Sequence, residues 1–140
     1  MIRALFDTNL WISLLLGHGK SSTIDQVVAV ASSDNVELIV PQELIEELRI
    51  AIAKSSYLAV RITQAEIDAL IERFRTIAVI PPIVPHQGPF TRDPNDDYLI
   101  VYALVHKVDY IVTGDRDLLT LSRIEHCQIV TPNHFLEIVH

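Results

Sequence analysis

Four short runs, IRALF, VELIV, DYIV and CQIV, are compact, apolar and β-branched, and each leads directly into a polar residue or a proline: Asp7, Pro41, Thr113 and Thr131. Between them lie stretches whose apolar residues recur at the helical period. Strands alternating with helices predict an α/β fold, a doubly wound parallel sheet with helices on both faces. Sheets of this kind bind ligands beyond the carboxyl ends of their strands, where these polar residues fall. The chain has 140 residues, 49% of them apolar, enough for one core and too few for two comfortable domains, so a single domain over 1–140 is expected.

Between the strands the punctuation is specific. NLWISLLLG reads as a buried helix closed by Gly17, and SSTIDQVVAVASSD as a second helix with Ser22 at its cap. Pro41 suits the first turn of a helix carried by QELIEELRIAIAK, which breaks at Ser55 and Ser56. Thr63 with Glu66 three residues on forms a capping-box signature for the next helix, TQAEIDALIERFRTI. AVIPPIVP, with its prolines, fits an edge strand or extended connection. HQGPFTRDPND reads as a surface loop, DDYLIVYALVHK as a largely apolar helix, and CQIVTPNHFLEIV as a last strand and short helix.

Composition removes several function classes. The Leu14–Leu16 run is far too short to cross a bilayer, and Asp7 and Asn9 interrupt the first apolar run where a secretory signal needs continuity, so a cytoplasmic protein without membrane attachment is expected. The one cysteine, Cys127, lies in an apolar run and reads as a buried thiol. Six histidines are scattered without zinc-like spacing. GHGKSS lacks the first glycine of a phosphate-binding loop and follows a helix rather than a strand. A net charge of −7 argues against broad electrostatic capture of nucleic acid, unless converging carboxylates hold divalent cations that reverse the local sign.

The carboxylates carry the chemistry. Asp7 follows the first strand and should emerge at its carboxyl end, while Asn9 beside it suits a helix cap. Placing residues about 100° apart along the helix after Pro41 buries Leu44, Ile45, Leu48 and Ile52 and sets Glu47 nearest that face, with Glu43 and Glu46 turned toward solvent. Around Pro94, Asp93 takes the N-cap and Asp96 the first turn. Asp97 is followed by Ile100, Val101, Leu104 and Val108 along one stripe, so its charge needs a partner, either a metal or, in the structural alternative, Arg92. In TGDRD, Asp115 and Asp117 follow the strand YIV and come beside Asp7 if the two strands are neighbours.

In this order, DTN, EEL, RDPNDDYLI and TGDRDLL resemble the PIN-domain family over nearly the whole chain, and most of all the toxins of toxin–antitoxin systems that share the last two forms. The resemblance implies a PIN-like three-layer fold, and its core acids fall on Asp7, Glu47, Asp97 and Asp115, with Asp117 an additional acid. It further implies a VapC-like ribonuclease dependent on one or two Mg2+ or Mn2+ ions, silenced by an antitoxin and commonly a homodimer.

Cleavage of an RNA phosphodiester needs a deprotonated water and a neutralised leaving oxygen, and hard cations held by carboxylate oxygens supply both. Asp7, Asp97 and Asp115 are then the principal ligands, with Glu47 binding through water or helping to remove the proton. Asn9, Thr113, Asp117 and Asp93 stand behind them, and Arg92, Arg116 and Lys54 are candidate phosphate contacts. Two rival readings remain. One is a non-catalytic RNA- or protein-binding module whose acids hold the fold together. The other is a Mg2+-dependent phosphatase using Asp7 as nucleophile, although that chemistry wants a second aspartate where Asn9 stands.

Overall fold

The computed structural model of the chain describes residues 1–17, 23–33, 35–84 and 97–139, with the backbone alone at 23–25 and 97. Strand β1 (Ile2–Phe6) leads into α1 (Thr8–Leu16), which Gly17 closes in the left-handed conformation at φ 67°. After α2 (Thr23–Ala31) come β2 (Val36–Ile39), α3 (Gln42–Lys54), α4 (Ser56–Ala59), α5 (Gln64–Ile77) and β3 (Ala78–Val79). The second half holds α6 (Asp97–Val105), β4 (Tyr110–Val112), α7 (Arg116–Leu121), β5 (Arg123–Ile124), β6 (Cys127–Val130) and α8 (Pro132–Val139).

The strands form one sheet in the order β3-β2-β1-β4-β6-β5. Its first three strands proceed outward from β1 in one direction, and β4 then pairs on the other side of β1. The order therefore reverses between β1 and β4, which opens a crevice at their carboxyl ends. All pairings are parallel except β5 with β6.

Successive residues of a strand face opposite sides of its sheet. Ala4, Leu5 and Phe6 are all fully buried, so both faces of β1 are covered. On the Phe6 side, its ring lies 5.5 Å from Trp11 of α1 and 5.6 Å, edge-on, from Phe135 of α8, while Trp11 meets Phe74 of α5 at 4.8 Å. Such pairs add about 0.5–1.5 kcal/mol each beyond the area they bury. No helix among the described residues is long and apolar enough to cross a membrane.

The expected α/β architecture holds, with local differences. The sheet is mixed rather than wholly parallel, because a two-residue turn at Glu125 and His126 folds β5 back onto β6. Glu125 takes a positive φ of 54° there, a conformation that Gly or Asn normally announces in sequence. Ser55 does not merely end α3: its hydroxyl accepts from the Leu58 N–H and caps α4. Pro41 precedes α3 as its N-cap rather than entering the first turn. Ser22 and the expected loop 86–96 lie outside the described residues.

Thr63 and Glu66 form the full reciprocal capping box of α5. Thr63→Ala removes one half of it and is expected to cost about 1 kcal/mol. In a chain of this size that lowers the melting temperature by roughly 2–4 °C in a calorimetric scan.

Candidate functional site

The register Phe6↔Val112 extends one residue past both strands. The Asp7 N–H donates to the Val112 carbonyl at 3.0 Å and the Thr113 N–H to the Val130 carbonyl at 3.0 Å, so Asp7 and Thr113 are fixed side by side at the sheet edge. Their side chains meet: the Thr113 hydroxyl donates to Asp7 Oδ2 at 2.8 Å. The same Thr113 oxygen accepts the Asp115 N–H at 3.0 Å, turning the TGD segment back over the crevice. Asp115 caps α7, with its Oδ1 accepting the Asp117 N–H at 3.1 Å.

Asp7 is 3% exposed. Burial holds its carboxyl above the ordinary aspartate range, and the negative charge of Asp115 pushes in the same direction. The Thr113 hydroxyl and the amides of Thr8 and Asn9 at the start of α1 oppose the shift without cancelling it.

The second half of the site joins three helices. Glu47, half-buried in the second turn of α3, takes hydroxyl hydrogen bonds on Oε1 from both Thr8 and Tyr98, the latter at 3.1 Å. The two hydroxyl oxygens lie 3.4 Å apart. Burial first, then the charge of Glu47, pushes the pKa of the Tyr98 phenol far above its ordinary value, so it stays protonated and remains a donor; the charge of Asp7 adds to the effect. One turn further along α6 and one turn back along α3, the Tyr102 hydroxyl donates to Glu43 at 2.8 Å and accepts the Val84 N–H, also at 2.8 Å.

Several expectations meet their geometry here. Leu44, Ile45, Leu48 and Ile52 form the buried face of α3, and Glu47 lies beside it. Glu46 is exposed as expected, but Glu43 is only partly exposed, because α6 packs its Tyr102 against it. Asn9 is not the helix cap: Asp7 holds that position and Asn9 is exposed in the first turn. Asp97 opens α6 directly before Tyr98, and its side chain lies outside the described residues, as do Arg92, Asp93 and Asp96.

Arg116 is exposed beside Asp115. Lys54 ends α3 seven residues beyond Glu47, about 10 Å along the helix axis, so it stands away from the acids. In the sequence Tyr98 does not stand out, and Thr8 does so only as a neighbour of Asp7 at the strand end. The available signal was that each directly follows a candidate acid, and that a buried tyrosine hydroxyl needs a partner.

Residues 3–117 match the family model described as PIN domain. The chain belongs to the PIN-domain family. In three dimensions this PIN domain is similar to a chain in the crystal structure of VapBC2 from Rickettsia felis bound to a DNA fragment from their promoter. The TM-score is 0.60 at 12% identity, over 93% of this chain and 98% of the other. No curated protein matches the sequence.

The buried Asp7 gives this PIN domain a defined response to pH. Its folded carboxyl binds a proton more tightly than the unfolded one, so the folded state carries more protons between the ordinary and the raised value, and stability falls as pH rises through that window. In EDTA at neutral pH, Asp7→Asn is expected to melt higher than the native chain, with the gap closing as pH is lowered toward the ordinary carboxylate range. Equal melting across that range would overturn this account of Asp7.

Proposed function

We propose that the protein is a metal-dependent endoribonuclease that hydrolyses RNA phosphodiester bonds, and that it is the toxin of a toxin–antitoxin pair. The observation that carries the reading is the buried Asp7 carboxylate beside Thr113 and Asp115 at the reversal point of the sheet, with Glu47 across the crevice. Membership of the PIN-domain family supports the nuclease chemistry, and the likeness to a chain of the VapBC2 complex supports an antitoxin partner.

The donor set suits a hard divalent cation, Mg2+ or Mn2+. Among the described residues a hydroxyl and backbone amides stabilise the charge of the buried Asp7, and the negative charge of Asp115 bears on it. Both offer carboxylate oxygens, the ligands such ions take. Among the described residues no three candidate ligands gather around one point, so the set needs Asp97 to complete it. Asp7, Asp97 and Asp115 would hold the ion or ions, and Glu47 would bind through water or accept the proton.

When bound, such a cation lowers the pKa of a coordinated water and neutralises charge on the phosphate. Thr113 orients the Asp7 carboxylate by donating to Oδ2, and the same oxygen accepts the Asp115 amide, tying the segments that carry the two acids. Asp117 and Asn9 border the site from the first turns of α7 and α1, with Asp93 a further candidate neighbour. Arg116 beside Asp115, and Arg92 before α6, are candidates to meet the RNA backbone. The exposed Asn9 supplies no second acid behind Asp7, which counts against phosphoryl transfer through an aspartyl nucleophile.

Purified protein is expected to cut structured RNA with Mg2+ or Mn2+ and not with EDTA, while Asp7→Asn and Asp97→Asn fold normally and cut at background. Metal-dependent cleavage retained in both variants would mark a contaminating nuclease. Absence of cleavage by the native chain across a broad RNA panel, with binding retained, would favour a non-catalytic RNA-binding module.

A further inference from the structure

We propose that Tyr98 is a positioning residue for the metal site: its hydroxyl, together with that of Thr8, fixes the Glu47 carboxylate and so sets the spacing of the backbones that carry the acids. This rests on the metal-dependent reading given above and adds a residue to it. The geometry is a knot of three side chains from three helices. Thr8 of α1 directly follows Asp7, Tyr98 of α6 directly follows Asp97, and both hydroxyls converge on one oxygen of Glu47 in α3. Three of the four candidate acids are therefore either in the knot or one peptide unit from it. The fourth, Asp115, is tied to Asp7 through Thr113.

The contact has a second rung. Tyr98 and Tyr102 are four residues apart on α6, Glu43 and Glu47 four apart on α3, and the pairing is crossed: Tyr98 with Glu47 and Tyr102 with Glu43. Residues four apart lie on one face of a helix, so the two helices present matching hydroxyl and carboxylate faces in opposite directions. The outer rung binds α6 to α3 and to the chain entering residue 84. The inner rung binds α6 to α3 and, through Thr8, to α1, and it also fixes a carboxylate within the site. Comparing the two separates packing from positioning, because each loses one hydroxyl from the same helix face.

Outer-shell hydrogen bonds to ligands typically contribute about 10–100-fold to metal affinity. Mn2+ titrated by calorimetry into the full chain, without RNA, is expected to bind about 10–100-fold more weakly to Tyr98→Phe than to the native protein. Tyr102→Phe is expected to lower the melting temperature and leave Mn2+ affinity at the native value. Thr8→Val should weaken Mn2+ binding as Tyr98→Phe does, and Thr8→Ser should restore it; this second pair decides the question if Tyr98→Phe does not fold. In RNA cleavage, kcat should fall in Tyr98→Phe while KM stays.

Native affinity in Tyr98→Phe, or an equal loss in Tyr102→Phe, would overturn the positioning role, as would failure of the native chain to bind Mn2+. Tyr98-dependent Mn2+ binding in a chain that cuts no RNA would sustain the positioning role and sink the ribonuclease reading, so the two can fail separately.

Discussion

Parallel pairing of β1 with β4 is the constraint from which the site follows. Once Phe6 lies opposite Val112, the next residues on each strand, Asp7 and Thr113, must be neighbours on the same face of the sheet. The backbone bond from Asp7 to Val112 fixes that adjacency at the cost of no side chain. A slip of one residue would turn Asp7 to the opposite face and separate it from Thr113. The buried aromatic cluster around Phe6 opposes such a slip, because the strand's large side chains would exchange faces with Leu5 at the same time. Core packing and site geometry therefore select the same register.

Much of this was legible in the chain itself. The β-branched runs located the four central strands, and polar residues at their ends marked the sheet edge. The α3 wheel separated Glu47 from Glu46, because burial of Leu44, Leu48 and Ile52 leaves Glu47 at the margin of the apolar face and Glu46 in solvent. Adjacency of Asp7 to the TGD segment was conditional on strand order, which local periodicity does not encode. Here the sheet topology supplies what the sequence leaves open.

What escaped reading depends on partners distant in sequence or on atypical local chemistry. Tyr98 and Tyr102 look like ordinary members of an apolar helix, and the carboxylates that take their hydroxyls stand on α3, more than fifty residues away in sequence. For the same reason Glu43 looks solvated on its own helix. The β5–β6 turn has no Gly or Asn, so Glu125 adopts its left-handed conformation without a sequence marker. Ser55 carries two compatible meanings, as a helix end and as a cap, and the structure uses both.

The two outermost strands bear on how the molecule behaves in a crowded solution. An open sheet edge offers unpaired amides and carbonyls to any passing strand, and an apolar chain with such an edge is prone to self-association. Here β3 and β5 are each only two residues long, and one residue after β3 come Pro81 and Pro82, which lack the N–H a further strand would need. The sheet thus tapers at both margins, leaving little template for edge-to-edge growth into aggregates.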